Sequence, residues 1–172
     1  MQETLLEGLE IYEPRVFDDE RGYFFESFRD SERNLPCIFV QDNESFSIEN
    51  VLRGMHFQKG QAKLVRCVFG TVFDVVVDIR KDSPTFGKWQ GFMLDGSNRK
   101  QLFIPDGYAH GFYVTSKSAL LQYKVSADYD PELERSFKFN DPQVGIKWPN
   151  ENPLVSERDK NAPSFAEACE HG

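Results

Sequence analysis

Two histidines are the first candidates for acid–base chemistry in this sequence, because imidazole exchanges a proton near neutral pH. They are His56 and His110, since the third, His171, is the penultimate residue. A lone histidine in a strand is more often a core residue whose ring nitrogens are satisfied. Arg53 and Lys63 lie near His56 in the sequence, however, and each is costly to bury without an anionic partner. The segment around His56 is therefore a candidate binding or catalytic site.

The same residues do not favour a metal site. A catalytic metal normally takes three protein ligands, which often include paired histidines. His56 and His110 are far apart in the sequence, and neither belongs to an HxH pair. Asp74 and Asp78 fall on the mixed face of a predicted strand and could supply carboxylates to the interior. We expect no bound metal, which disfavours the metal-dependent oxygenases that commonly adopt β-barrel folds.

The elements that would position these residues are mostly strands. Glycine or proline recurs about every ten residues through the middle of the chain, and the segments between them are β-branched or aromatic. Residues 63–69 and 71–80 flank Gly70 and are predicted to form the two arms of a hairpin. Further strands are predicted over residues 101–104, 112–115 and 118–125.

Alternation in the last of these strands gives the direction of another reactive side chain. Tyr123 shares a face with Ala119, Leu121 and Val125, and the opposite face is polar. Side chains two residues apart lie on the same side of a strand. Tyr123 is therefore predicted to point inward, either as a reactive phenol or as a buried structural tyrosine.

Helix is scarce in the predicted structure. A turn or two is predicted over residues 30–35 and over residues 131–137, where Asp130 and Pro131 open the second helix. After Asn140 prolines and glycines are frequent and periodicity disappears, so this tail either lies across the domain or hangs free. The predicted fold class is all-β with a few short helices, and residues 1–172 are predicted to form a single domain.

Composition limits the classes of function. The chain is 40% hydrophobic and contains 16 Phe, a content that suits a barrel or sandwich built from strands. Its net charge of −8 argues against a nucleic-acid partner. No apolar run approaches the roughly 20 residues of a membrane span, and no secretory signal is visible. Three scattered cysteines are typical of a reduced, cytoplasmic protein.

Several motifs resemble one known family. Residues 105–110, PDGYAH, resemble the second motif of the cupin barrels, whereas the first cupin motif lacks its HxH pair here. The segment VLRGMHFQ at residues 51–58 resembles the dTDP-4-dehydrorhamnose 3,5-epimerase family, whose members are metal-free cupins. So do residues 19–27, 41–43, 63–66, 70–80, 83–87, 101–112, 123–124, 140–142 and 156–159. The resemblance implies a cupin-type β-barrel or jelly roll with the C-terminal tail packed on the barrel.

The resemblance also implies a reaction. Family members epimerise dTDP-4-dehydro-6-deoxy-D-glucose at C3 and C5 to dTDP-4-dehydro-L-rhamnose, a step of dTDP-rhamnose biosynthesis. The C4 ketone acidifies the hydrogens on both neighbouring carbons. Inversion then needs a base on one face, an acid on the other and stabilisation of the enolate oxygen, so no cofactor is implied. The alternatives are an epimerase of C3 or C5 alone, one for another 4-keto nucleotide sugar, and a non-catalytic sugar-binding cupin.

Four catalytic roles follow from the resemblance. His56 matches the general base, and Asp159 matches the aspartate that fixes its tautomer. Lys63 matches the cation that stabilises charge on the C4 oxygen, and Tyr123 matches the general acid. Without the family, Asp159 would be interpreted as a solvated charge and Lys63 as a surface lysine.

Substrate contacts are implied as well. Arg21, Arg53 and Arg158 match basic contacts, and arginine suits pyrophosphate because its planar fork binds two oxygens at once. The other implied contacts are Glu26, Gln41, Asn43, Lys63, His110 and Glu134.

Three features depart from the family pattern. Arg158 replaces a more usual lysine, and Asp128 replaces a tyrosine, which leaves Tyr129 as the candidate for stacking on the nucleotide base. The segment between His56 and Lys63 is also shorter than in some relatives.

The family is dimeric, and the segment before Phe17 is apolar enough to join a neighbouring sheet edge. We therefore expect a homodimer whose ligand is a dTDP-linked 4-keto-6-deoxy sugar.

The spacing of Arg53 and His56 predicts a backbone irregularity. Both side chains must face the substrate, yet an odd separation on a regular strand places them on opposite faces. Gly54 lies between them, and a bulge at glycine inserts an extra residue and re-aims the side chains that follow. We therefore predict an irregular ladder near Gly54.

Overall fold

Two five-stranded antiparallel sheets pack face to face around an apolar core. The computed structural model describes residues 4–33 and 35–170. In chain order, the strands are β1 (Glu10–Tyr12), β2 (Val16–Asp19), β3 (Gly22–Phe25), β4 (Gln41–Ile48), β5 (Leu52–Gln58), β6 (Lys63–Phe69), β7 (Thr71–Asp78), β8 (Trp89–Asp95), β9 (Gln101–Ile104), β10 (Tyr108–Val114), β11 (Ser118–Val125) and β12 (Glu134–Ser136). The helices are α1 (Asp30–Arg33), α2 (Glu157–Lys160) and α3 (Phe165–Glu170). This architecture confirms the all-β prediction.

The strand order places the candidate residues on facing walls. The first sheet has the order β1-β9-β6-β11-β4, and the second has the order β12-β5-β10-β7-β8. Side chains of both sheets meet in one core, including Val65 of β6, Leu121 of β11, Val76 of β7 and Phe112 of β10. Every residue of β10 is buried, because one face of this strand meets the first sheet and the other meets the tail.

The predicted hairpin around Gly70 is wrong. Strand β6 belongs to the first sheet and β7 to the second, so the two do not pair. Tight hairpins usually need two turn residues, and Gly70 alone carries the chain from one sheet to the other with φ +77°. A Cβ at Gly70 would lie 2.0 Å from the carbonyl oxygen of Ser118, so this crossing requires glycine.

The helix predicted over residues 131–137 is also wrong. A turn follows Asp130, and Glu134–Ser136 then forms β12, which pairs with β5. Phe137 is fully buried, and its backbone exchanges two hydrogen bonds with that of Met55. Burial of this ring against the sheet therefore outweighs the local helix signal. The helix predicted over residues 30–35 is observed as α1, and residue 34 lies outside the described residues.

The tail after residue 140 packs on the outer face of the second sheet. Val144, Ile146 and Phe165 join Val75 and Val77 of β7 in a second apolar cluster. The ring of Phe165 is completely buried, and burial of such a side chain contributes about 2–3 kcal/mol. The tail is therefore anchored across the sheet that carries His56, as the family resemblance implies.

The N-terminal segment covers an edge of its own sheet. Strand β1 pairs with β9 of the same chain and is the terminal strand of the first sheet, so the expectation that this segment joins a neighbouring sheet stays a prediction. Strands β2 and β3 instead form a separate two-stranded ribbon, on which Phe17, Tyr23 and Phe24 are exposed. None of the helices in the described ranges could span a membrane.

Candidate active site

A cavity of about 300 Å³ lies between the two sheets. Three of the predicted catalytic side chains, His56, Lys63 and Tyr123, line it. Six of the predicted contact residues line it as well: Gln41, Asn43, Arg53, His110, Tyr129 and Glu134. The second sheet supplies His56 from β5, whereas the first supplies Lys63 from β6 and Tyr123 from β11. The cavity thus has a histidine on one wall and a lysine and a tyrosine on the other.

His56 is held by a carboxylate that the tail delivers. Its Nε2 lies 2.6 Å from Oδ1 of Asp159, which is only 3% exposed. The amide of Gly54 donates to the other carboxylate oxygen at 3.3 Å. Because an ionised carboxylate can only accept, the proton of His56 lies on Nε2 and the lone pair of Nδ1 is available. The pair is therefore arranged to take up a proton at Nδ1.

The environment of Asp159 favours its ionised form. Burial alone would raise the pKa of this carboxyl, but the hydrogen bond and the charge of His56 hold it below its usual value. Asp159 lies in α2, where the hydroxyl of Ser156 accepts a hydrogen bond from the Asp159 amide and caps the helix. The cap and the packed tail together fix the position of the carboxylate.

The predicted irregularity at Gly54 is confirmed by the pairing of β5 with β10. His56 lies opposite His110 and Arg53 lies opposite Phe112, so β5 has two residues where β10 has one. Gly54 has φ +143°, in the region that favours glycine. This bulge brings Arg53 and His56 to the same cavity, as the prediction required.

Lys63 and Tyr123 share the inner face of the first sheet. Strands β6 and β11 pair Lys63 with Val125 and Val65 with Tyr123, and both valines are buried in the core region. Burial lowers the pKa of the Lys63 ammonium to about 8, although the nearby carboxylates of Glu134 and Asp106 act in the opposite direction. Burial raises the pKa of the Tyr123 phenol, so this group stays protonated at neutral pH. The inward direction predicted for Tyr123 is confirmed.

A second histidine–aspartate pair lies beside the first. Nε2 of His110 is 2.8 Å from Oδ2 of Asp74, and both side chains are buried. The expectation that Asp74 reaches the interior is therefore confirmed, but its pairing with His110 was not predicted. Asp78 is buried too, yet it does not line the cavity, because it binds the loop side chains of Arg80, Ser83 and Thr85. Alternation alone could not separate these two aspartates, since both lie on the same face of β7.

The mouth of the cavity is built around Glu134. Its Oε2 accepts hydrogen bonds from Tyr129 at 3.1 Å and from Arg158 at 2.5 Å. Tyr129 is 54% exposed, so its ring is available to a ligand. Within the described part of the chain, Asp128 is engaged through its carbonyl alone, which accepts from Gln58 at 2.8 Å, so its carboxylate plays no part in this cluster.

Three predicted contact residues do not line the cavity: Arg158, which reaches it only through Glu134, and Arg21 and Glu26, which lie elsewhere in the chain. Arg21 is in the turn of the β2–β3 ribbon, where its side chain is 85% exposed and pairs with Asp19 at 2.5 Å. Glu26 follows β3 and pairs with Arg29. Neither Arg21 nor Glu26 lines the cavity that contains His56.

Sequence reasoning also missed two glutamines that line the cavity, Gln58 and Gln61. Both hold the segment that follows β11 and carry no charge; Gln58 ends the VLRGMHFQ motif but was given no role there, and Gln61 belongs to no motif. Among the described residues, no group of three or more His, Cys, Asp or Glu side chains is arranged to hold a metal ion.

Comparison with known proteins gives one consistent family. The family model for dTDP-4-dehydrorhamnose 3,5-epimerase matches residues 3–167. The dTDP-4-dehydrorhamnose 3,5-epimerase of Methanothermobacter thermautotrophicus is 48% identical, over 92% of this chain and 90% of its own length. The dTDP-4-dehydrorhamnose 3-epimerase of Streptomyces niveus is 41% identical, over 97% of this chain and 84% of its own.

A solved structure extends this likeness to the fold. The dTDP-6-deoxy-D-glucose-3,5-epimerase of Legionella pneumophila, crystallised with dTDP-4-keto-L-rhamnose, superposes with a TM-score of 0.91. Its sequence is 46% identical, and the match covers 95% of this chain and 90% of the length of the Legionella chain. The two-sheet arrangement is therefore the cupin-like jelly roll that the motifs predicted.

Proposed function

This chain belongs to the dTDP-4-dehydrorhamnose 3,5-epimerase family, and on that premise we propose that it epimerises dTDP-4-dehydro-6-deoxy-D-glucose at C3 and C5 to dTDP-4-dehydro-L-rhamnose. The observation that carries this proposal is the position of the His56–Asp159 pair across one cavity from Lys63 and Tyr123. Inversion of a carbon centre requires a base and an acid on opposite faces, and the two sheets supply one each.

The proposed reaction begins at His56. Nδ1 of His56 takes the proton from the carbon next to the C4 ketone, and the Asp159 carboxylate stabilises the imidazolium that forms. The electron pair moves onto the C4 oxygen, where the Lys63 ammonium stabilises the enolate. Tyr123 then donates its proton to the same carbon from the opposite wall, which completes the inversion. The second centre is inverted by the same groups once solvent has taken the proton from His56 and returned one to Tyr123.

The nucleotide end is assigned to the mouth of the cavity. The guanidinium groups of Arg53 and Arg158 suit the pyrophosphate, because each offers paired donors with a fixed charge. Tyr129 offers an exposed ring to the base, next to Glu134. Arg158 reaches Glu134 at 2.5 Å, so phosphate binding would draw it away from that carboxylate.

A homodimer accounts for the contact residues that the cavity lacks. Arg21 and Glu26 lie on or beside the exposed β2–β3 ribbon, so a second copy would have to bring them to the substrate. The ribbon exposes Phe17, Tyr23 and Phe24, which would be covered in such an assembly. Sedimentation at micromolar concentration should give a dimer, and a monomer would contradict this part of the proposal.

We assign the enzyme to the cytoplasm. Cys37, Cys67 and Cys169 are all free thiols, which is typical of a reducing compartment. Fractionation of the source cells should place the activity in the soluble cytoplasmic fraction.

The experiment that tests the function is incubation with the 4-keto sugar nucleotide in deuterium oxide. Inversion at both centres should incorporate two deuteria, at C3 and C5, as mass spectrometry and proton NMR can show. The second candidate, epimerisation at C3 alone, is favoured by the similarity to the Streptomyces niveus 3-epimerase and predicts one deuterium. A sugar-binding protein without activity predicts none, and that result would refute both epimerase proposals.

A further inference from the structure

The side-chain ammonium of Lys63 has one hydrogen-bond partner among the described residues. Its Nζ donates to Oε1 of Gln61 at 3.0 Å, and its side chain is almost fully buried at the start of β6. No carboxylate is within ion-pairing distance of it in the described part of the chain. The direction of the ammonium is therefore set by a neutral amide.

The other end of the same amide holds the β11–β12 loop, residues 126–133. Nε2 of Gln61 donates to the carbonyl of Ala127 at 2.9 Å. The backbone beside it is tied to the same loop, since the Ala62 amide donates to the Ser126 hydroxyl at 2.8 Å. The Gln61 side chain is thus fixed at both ends, and it connects the buried ammonium to the loop that carries Tyr129.

An amide is chemically suited to this position. A carboxylate there would orient Lys63 equally well, but it would neutralise the charge that the enolate oxygen requires. An amide oxygen accepts from an ammonium and leaves its positive charge uncompensated. An amide also carries the donor that the Ala127 carbonyl needs, which neither glutamate nor methionine can supply.

We propose that Gln61 is a positioning residue that directs the Lys63 ammonium at the reacting sugar without neutralising it, and that fixes this geometry against the β11–β12 loop. This inference rests on the proposed function, because it assigns Gln61 a part in the same reaction. The short connection between β5 and β6, residues 59–62, is what places Gln61 within reach of both partners.

The test must separate Gln61 from the other charges around Lys63. Glu134 from β12 and Asp106 from the β9–β10 connection both favour the charged ammonium. The remaining titratable or charged groups of the cavity are Arg53, His56, His110, Tyr123 and Tyr129. All of these stay unchanged in variants of Gln61, so a shift in the titration of Lys63 reports the change of partner.

The experiment compares Gln61→Glu and Gln61→Met with the wild type in the deuterium-exchange assay between pH 6 and 10, alongside a 13C NMR titration of the Lys63 side chain. Glutamate should raise the pKa of Lys63 and move the alkaline limb of kcat to higher pH. Methionine should lower it and move the limb to lower pH, by about one unit in each case. Both variants should lose roughly 10- to 100-fold in kcat, because glutamate compensates the positive charge of the ammonium and methionine leaves the ammonium without its orienting partner.

Gln58→Met is the matched control. Gln58 holds the same loop, because it donates to the Asp128 carbonyl at 2.8 Å and accepts from the Asp130 amide at 2.9 Å, yet within the described residues the Lys63 ammonium bonds Gln61 and not Gln58. This variant should raise KM and leave the Lys63 titration where it is in the wild type. Opposite shifts in the two Gln61 variants, with none in Gln58→Met, would support the proposal.

The proposal would be overturned by two results. One is an unchanged titration of Lys63 in both Gln61 variants, and the other is a shift of the same size in Gln58→Met. Because the NMR titration does not depend on turnover, it measures the pKa of Lys63 even in an inactive variant. A wild type that incorporates no deuterium would instead refute the proposed function, and thereby any role of Gln61 in that reaction.

Discussion

Replacement of Asp159 by asparagine tests how much of the reaction depends on the charge behind His56. Asparagine keeps the size of the side chain and can still accept one hydrogen bond, so the imidazole keeps a partner. What disappears is the negative charge that stabilises the imidazolium. His56 and Asp159 are 2.6 Å apart at their closest atoms. Two opposite charges with centres about 4 Å apart attract by about 4 kcal/mol at an effective dielectric constant of about 20.

The actual attraction between the two charges is weaker than this, because the His56 side chain is 30% exposed and solvent screens its charge. A remaining contribution of about 2–3 kcal/mol corresponds to a loss of roughly 30- to 160-fold in kcat. Asp159→Asn should therefore keep a weak, measurable rate of deuterium exchange. His56→Ala removes the base itself and should lower exchange by at least about 10²- to 10⁴-fold.

The double variant decides whether Asp159 acts through His56. If it does, removing Asp159 from an enzyme that already lacks His56 should change the residual rate little, because the two effects are not additive. Exchange rates of all four proteins, measured at one pH with urea unfolding as the control for folding, complete the cycle. Two results would refute the reasoning: Asp159→Asn at the wild-type rate, or additive losses in the double variant.

Three further predictions concern pH and packing. Hydrogen bonds hold the pKa of Asp78 at about 2, below its usual 3.8, although burial acts against them. The ionised Asp78 carboxylate should therefore add about 2 kcal/mol to the free energy of unfolding above pH 4, and this contribution should vanish as the pH falls towards 2. Urea unfolding of Asp78→Asn should lack this pH dependence, whereas Asp82→Asn, a change at an exposed residue, should keep it. Because burial lowers the pKa of Lys63 to about 8, kcat should fall as the pH rises through 8, and a flat profile up to pH 10 would contradict the role of its charge. Gly54→Val should lower both stability and activity, since a Cβ there would lie 2.7 Å from the backbone of β10. Its control is Gly60→Ala, where φ is +79° and the Cβ would meet open space, so this variant should lower the free energy of unfolding in urea by only about 1–2 kcal/mol.

The sequence was most informative where a local pattern decides the structure. Strand β11 has the bounds that alternation predicted, and Tyr123 lies on the predicted face. The bulge at Gly54 followed from parity together with the family resemblance, which assigns Arg53 and His56 to one site, because two side chains at odd spacing cannot share a face of a regular strand. Each of these conclusions uses a period of two residues, which a strand imposes wherever it packs.

The errors came from contacts between segments that are distant in the chain. Nothing local at Gly70 shows that β6 and β7 enter different sheets, because both arms are apolar enough for either arrangement. Residues 131–137 carry a helix start signal, yet burial of Phe137 against the second sheet decides their conformation. The pairing of His110 with Asp74 depends on the register of β10 with β7, which no spacing within one strand reveals.

The chemistry of inversion and the two-sheet architecture fit each other. A single sheet presents all its inward side chains to one face of a ligand, whereas inversion needs proton transfer on both faces of one carbon. Here β5 brings His56 to one wall of the cavity, and β6 and β11 bring Lys63 and Tyr123 to the other. The chain crosses between these walls in residues 59–62, so the proposed base and the proposed enolate-stabilising cation lie on consecutive strands. Because the two walls pack against a common core, buried side chains fix their separation, and this holds the proposed acid and the proposed base on opposite sides of the cavity.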